Sequence, residues 1–151
     1  MSTDVSTQLI SREELLSLST EILIKWNTPA AFAQSIAESL VQAQEAGHAS
    51  HGVIRLIEYT NSITNKVIIP DAQPTIKSDH KASVVIDAHW GWGQIACKFA
   101  VEVATKKAKE FGVCAVSIAN CNHIGRVGEY SELFAEQDLI SMTWCNADPA
   151  V

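Results

Sequence analysis

No stretch of this sequence approaches the roughly 20 uncharged apolar residues that a membrane helix needs, and its first residues carry neither a basic start nor an apolar segment of the secretory type. Those two absences set the expectation of a soluble, cytoplasmic protein with no membrane partner. Positive charge is scarce as well: 11 Lys and Arg face 17 Asp and Glu, a net charge of −6. The one short basic cluster, Lys106, Lys107 and Lys109, has the spacing of a solvated helix face, so no nucleic-acid partner is expected. Cys97, Cys114, Cys121 and Cys145 form no C-x-x-C pair, and three of them sit in apolar patterns. Buried free thiols in a reducing compartment are expected in place of a disulfide framework. Internal repeats, low-complexity tracts and recognisable linkers are missing too.

What is present is an ordinary globular balance. The 151 residues are 47% apolar and 19% charged, enough for one domain with a real core. Residues 1–10 are polar with little pattern and read as a loose terminus. Ser11 and Glu14 have capping-box spacing, followed by Leu15, Leu18, Ile22 and Trp26 at helical intervals, which predicts a helix over 12–26. Thr28 is the expected N-cap of a second helix, with Pro29 in its first turn, a stripe of Phe32, Ile36, Leu40 and Ala43, and a stop at Gly47. A third helix is expected over about 53–63. Residues 11–65 thus read as a helical segment.

The pattern then changes. Val67 to Ile69 and the stronger run Ser83 to Asp87 are strand candidates, followed by a long helix from about Trp92 to Phe111 ended by Gly112. Val113 to Ala119 is nearly all apolar, as in a strand covered on both faces. A polar loop from Asn120 to Arg126 leads into a helix over about 127–137, and Leu139 to Cys145 is the last strand candidate. Alternation of this kind predicts an α/β fold with an at least partly parallel sheet, residues 66–151 forming its start behind the helical layer.

Chemistry-bearing residues concentrate in two places. In Gly47-His-Ala-Ser-His-Gly52, followed by Arg55, an imidazole and a guanidinium one helical turn apart would converge on one small anion. Reduction of a 2-oxo acid needs that pair: Arg holds the carboxylate, and His gives a proton to the carbonyl oxygen. Gly52 would let a ligand approach the backbone. The spacing is equally compatible with a polar helix junction and a surface arginine. The second place is Asn120-Cys-Asn-His-Ile-Gly-Arg-Val-Gly128, between a strand and a helix, where α/β folds put ligand loops and where helix N–H groups with Arg126 suit an anion.

Two further patterns compete. Gly91-Trp-Gly-Gln-Ile-Ala96 has the outline of a dinucleotide fingerprint, but Asp87-Ala-His-Trp precedes the first glycine and no acidic residue ends the next strand. A glycine-rich turn is the better account. His48, His51 and His123 supply the nitrogens of a three-ligand metal site, so a metal-dependent hydrolase or lyase is an alternative function. No acidic residue lies close to His48 and His51 to act as base, Glu45 being on the preceding helix. His80 and His89 read as exposed loop residues.

The run His48-Ala-Ser-His-Gly-Val-Ile-Arg55 resembles the N-terminal motif of the malate/L-lactate dehydrogenase family, a non-Rossmann group that includes ureidoglycolate dehydrogenase, 2,3-diketogulonate reductase and piperideine-2-carboxylate reductase. The resemblance continues through Val85-Ile-Asp87, Gly91 to Gln94, Asn120 to Gly128 and Asn146-Ala-Asp-Pro149. It implies an α/β fold of that non-Rossmann kind, an NAD or NADP cofactor, a small 2-oxo or 2-hydroxy acid substrate and a homodimer with its site near the subunit interface. Residue by residue, it implies His51 as proton donor, Ser50 as its support and Arg55 as the carboxylate clamp. His123, Ile124, Gly125, Arg126 and Val127 become the loop contacting the nicotinamide cofactor. Cys121 stands where the family commonly has serine, and Glu129 where it commonly has an aromatic residue. Family members are much longer, so the chain is expected to be a fragment or a truncated form, with the aspartate that completes the Ser50–His51 unit beyond Val151. An inactive remnant is the other alternative.

Overall fold

The computed structural model describes residues 9–146. The expected loose terminus over 1–10 and the family resemblance at Ala147 to Pro149 fall largely outside that range. Helix α1 spans Arg12–Lys25, and its capping box forms as expected, with Ser11 Oγ accepting from Glu14 N while the Glu14 carboxylate accepts from Ser11 N. Its buried face is rotated from the expected one. Leu16, Ser19 and Leu23 turn inward, while Leu18 and Trp26 are exposed. Ser19 tolerates burial because its hydroxyl donates back to the Leu15 carbonyl at 2.7 Å.

Helix α2, Ala30–Glu45, is capped by Pro29 without a side-chain bond, so Thr28 is not the N-cap. Thr28 instead closes α1, its N–H donating to Leu23 O at 3.1 Å. At the other end Gly47 takes φ +79°. Gly47 N donates to Gln44 O at 3.1 Å and His48 N to Ala43 O at 2.9 Å, the paired bonds of a Schellman stop. One turn of 3-10 helix, Ala49–His51, leads to α3, Arg55–Thr64. Leu23, Ala33, Ile36, Ala37, Leu40, Leu56, Tyr59, Ile68 and Trp92 form the first core, where the three helices meet.

Val67 to Ile69 is not a strand. It is a connector whose Ile68 fills the first core and whose Ile69 N–H donates to Trp90 O at 2.9 Å. The first strand is β1, Thr75–His80, antiparallel to β2, Ser83–Asp87, with a register irregularity between Ile76 and Ser78. Polar β1 carries no apolar alternation because it is an edge strand, where Lys and Asp discourage further pairing. Helix α4, Gly93–Phe111, ends on Gly112 at φ +80° and connects β2 to the parallel strand β3, Ala115–Ala119. The order is β1-β2-β3.

Val84 and Ile86 pack with Ala100, Phe99, Val116 and Ile118 between sheet and helix. The opposite face of β3 is open at Ala115 and Ser117, so this strand is covered on one side and not on both. Helix α5, Val127–Ala135, seals another flank of α4 through Cys97, Val101, Tyr130, Leu133 and Phe134. Residues 139–145 form no strand: Ile140, Met142 and Trp144 stand exposed in alternation. Strand periodicity is there, but among the described residues no neighbour supplies the ladder bonds a strand requires. The described cysteines are free thiols, with Cys97 buried, Cys114 and Cys121 half-buried and Cys145 exposed.

Candidate active site

The junction between α2 and α3 is built by chain reversal. After the stop at Gly47, the 3-10 turn places Ser50 beside His51, with Ser50 Oγ 3.0 Å from His51 Nδ1. Because α3 starts only at Arg55, His51 and Arg55 do not share the continuous helix that their spacing predicts. Arg55 folds back instead, its Nε donating to the Ser50 carbonyl at 2.6 Å, and its Nη1 pairs with Glu58 one turn along. Gly52 is buried against Gln44, whose side-chain oxygen lies 2.4 Å from where a Cβ would stand. Its missing side chain therefore serves helix packing and not ligand approach.

Loop 120–126 is fixed from three directions. Asn120, in the left-handed region at φ 51°, donates from Nδ2 to both Asp87 oxygens at 3.0 and 3.1 Å. Asn122 Nδ2 lies 3.1, 2.7 and 3.1 Å from the carbonyls of Val67, Trp90 and Gly91, tying the loop to the connector after α3. The first turn of α4 presses on the same backbone: a Cβ at Gly93 would sit 2.4 Å from the carbonyl oxygens of both Asn122 and His123. Gly93 thus serves close backbone packing, consistent with discounting the dinucleotide fingerprint.

His123 is thereby delivered to the first motif. Its ring stacks on His51 with centroids 5.5 Å apart and planes 25° from parallel. Its Nδ1 is 2.8 Å from the hydroxyl of buried Tyr59, which lies 64 residues away in sequence. Ile124 packs beside Tyr130, whose hydroxyl donates to the Ile124 carbonyl. Gly125 is buried at φ +76°. Arg126 precedes α5 without capping it by side chain, and Val127 is the first residue of that helix. The Arg126 fork is filled by Glu132, whose two oxygens accept from Nη1 and Nη2 at 2.8 and 2.7 Å.

Electrostatics favour neutral rings. Burial, then the charges of Arg55 and His48, hold His51 below the ordinary imidazole value of 6.5. Burial, then Arg55 and His51, lower His123 in the same way. Burial raises the Tyr59 hydroxyl far above the ordinary tyrosine range, so it acts as a neutral hydrogen-bonding group.

Ser50, His51, Arg55 and His123 therefore meet, while His48 stays at the exposed end of α2. Among the described residues, no three His, Cys, Asp or Glu side chains converge as a metal-ligand set. His80 is exposed, and His89 Nε2 is 2.8 Å from Thr75 Oγ1 at the sheet edge. Tyr59, Gln94 and Asn122 were not legible as site residues. Tyr59 reads as an apolar-face residue of α3, and only an aromatic hydroxyl on that face hints at a polar partner. Behind the loop, Glu129 is 4% exposed and accepts from Ser39 Oγ at 2.7 Å and Lys98 Nζ at 3.2 Å. The charge of Glu129 where an aromatic residue is common in the family was the sequence signal for that buried cluster.

A profile of the malate/L-lactate dehydrogenase family matches residues 10–151. The chain is 36% identical over 143 residues to L-sulfolactate dehydrogenase of Methanocaldococcus jannaschii, covering 95% of this chain and 42% of that protein. It is 32% identical to malate dehydrogenase of Pyrococcus abyssi, covering 94% and 39%. Malate dehydrogenase of Pyrococcus horikoshii superposes with a TM-score of 0.83 at 30% identity over 89% of this chain and 38% of that one. The chain spans about 40% of the length of the curated relatives it matches. Helical layer, sheet and both histidine motifs fall inside the matched region, and the chain belongs to the malate/L-lactate dehydrogenase family.

Proposed function

We propose that this chain carries the proton-donor and cofactor-loop half of an NAD(P)-dependent reductase that interconverts a small 2-oxo acid and its 2-hydroxy acid. The carrying observation is the stack of His51 on His123 with Ser50 on His51 Nδ1. It brings together, side by side, the two motifs that such a reaction needs. The donor set fits a nicotinamide cofactor: α5 begins without a side-chain cap, and His123 has its Nδ1 face occupied by Tyr59, leaving Nε2 on the other side of the ring. His123 to Val127 would hold that cofactor, which when bound supplies the hydride for the carbonyl carbon.

The chain's own residues supply the rest. Arg55 holds the substrate carboxylate, exchanging Glu58 for it. Nδ1 of His51 is turned to Ser50, so Nε2 is the nitrogen that exchanges a proton with the substrate oxygen. In reduction the proton moves from His51 to that oxygen, and in oxidation it returns. A carboxylate beyond the described residues would complete the Ser50–His51 unit. A homodimer with the site near its interface, and a cytoplasmic setting, belong to the same reading. No described helix is long and apolar enough to cross a membrane.

The test joins this chain to the remaining length of a family relative and follows NADH or NADPH oxidation with a panel of 2-oxo acids. His51→Ala should lower turnover by about 10²–10⁴-fold. Arg55→Ala should mainly raise KM, by roughly 10- to 100-fold for a lost charge-assisted pair. Parent-like kinetics in both variants would contradict the assignment.

A further inference from the structure

Three donors and acceptors behind His123 form a chain with only one consistent direction. Gln94 Nε2 lies 2.7 Å from Tyr59 Oη, Tyr59 Oη lies 2.8 Å from His123 Nδ1, and Gly125 N lies 3.4 Å from that same Nδ1. A backbone N–H can only donate, so Nδ1 must be the acceptor nitrogen. The Tyr59 hydrogen must then point at Nδ1, which has none to give, and its shorter bond shares the single Nδ1 lone pair with the longer one from Gly125. Tyr59 oxygen is left to accept, and Gln94 turns its amide N–H toward it. Running the chain backwards, with Nδ1–H donating to Tyr59 and Tyr59 to Gln94 Oε1, would set two hydrogens against each other at Nδ1 and Gly125.

Gln94 gives the second sign. It is 0% exposed, and its Oε1 has no hydrogen-bond partner among the described residues. A buried amide oxygen left unpaired costs about 1–3 kcal/mol, and its persistence calls for a compensating role. Holding the donor end on Tyr59 is that role. The Tyr59 ring is not free to turn away. Trp92 meets the Tyr59 ring edge-on at 5.2 Å, and Trp92 is itself anchored through Nε1 to the Pro70 carbonyl at 3.1 Å. Tyr59 is 1% exposed.

We infer that Tyr59 and Gln94 are positioning residues that lock His123 in the neutral Nε2–H tautomer. The loop then presents a fixed N–H donor, beside His51, to an acceptor oxygen of the bound ligand, a carboxamide or a carbonyl. That this ligand is the nicotinamide or the oxo acid rests on the proposed function; the tautomer does not. Division of labour follows: His51 exchanges the proton, and His123, committed at Nδ1, aligns without exchanging one.

Two-bond 1H–15N correlation spectra of the 15N-labelled chain read each histidine's tautomer directly. At neutral pH, His123 is expected as a single species with Nδ1 unprotonated, in contrast to the mixed tautomers of exposed His48 and His80. In Tyr59→Phe the His123 signals should move to such a mixture, and its titration midpoint should rise, because a bond favouring the neutral ring is lost. Gln94→Leu keeps Tyr59 and should shift both readouts the same way by less. A parent His123 protonated at Nδ1, or unchanged tautomer and midpoint in folded variants, would overturn the proposal. If Tyr59→Phe does not fold, the parent spectrum and Gln94→Leu still decide. Adding NADH separates the two claims. A locked Nε2–H tautomer whose ring signals ignore saturating NADH contradicts the proposed function alone, whereas an NADH-responsive His123 that is not locked contradicts the positioning role alone.

Discussion

Arg55 is already engaged by its own chain, with Nε on the Ser50 carbonyl and Nη1 on Glu58. Ser50 therefore does two things, orienting the guanidinium through its backbone and the imidazole through its hydroxyl. Glu58 competes with any carboxylate that Arg55 would grip. The Glu58 side chain is 55% exposed, so the pair is worth under about 1 kcal/mol. Glu58→Gln in the joined enzyme should lower KM for the oxo acid by roughly 2- to 5-fold with kcat nearly unchanged; a raised KM would mean that Glu58 orients Arg55 and does not block it. The lowered His51 value sets a pH dependence. With His51 as the proposed proton donor, reduction needs the protonated ring, so its kcat/KM should fall as pH rises through a midpoint below 6.5, oxidation should show the opposite limb, and His51→Ala should flatten both. Stability follows the same sign. His51 and His123 bind protons less readily folded than unfolded, so stability is complete above about 6.5 and declines as pH falls from there toward their lowered values. Urea midpoints measured across that window in the parent and His123→Ala would check this, the variant showing the shallower decline.

Elements differ in how much of them the sequence discloses. Helices α1 to α5 were legible because apolar intervals and stops are local, and the Ser11 cap and the stops at Gly47 and Gly112 do what their positions imply, whereas the cap expected at Thr28 does not form. The strands were legible only where apolar residues run together, as in β2 and β3. Strand β1 was hidden by its polar edge character, and residues 139–145 carry strand periodicity without a ladder neighbour. Within the candidate site, the sequence motifs name His51, Ser50, Arg55 and His123, which the fold brings together. Tyr59 and Gln94 could not, since their role depends on α3 and α4 meeting across the first core. Two element-scale predictions follow from contacts of that kind. Gly93→Ala places a methyl 2.4 Å from two carbonyl oxygens and should destabilise by about 1–3 kcal/mol, seen as a lower Tm. His123 signals should move with it, and an unchanged loop spectrum would show that α4 does not hold the loop. Lys98→Met strands the buried Glu129 carboxylate and should cost about 3 kcal/mol, reading out as roughly 6–12 °C in Tm for a chain of this size.

At the scale of the molecule, the chain holds one part of a larger architecture: it covers 42% of the sulfolactate dehydrogenase it matches, and both histidine motifs lie within that part. The Ala115 and Ser117 face of β3 and the alternating Ile140, Met142 and Trp144 are open among the described residues. Apolar surface of this kind favours association. Whether this chain forms a ligand-competent half-site is decided by titrating the folded 151-residue chain with NADH and NADPH and following cofactor fluorescence. Saturable binding at millimolar Kd or tighter, roughly −4 kcal/mol, is expected, weakened in His123→Ala. A folded chain with no saturable binding of either cofactor would contradict it.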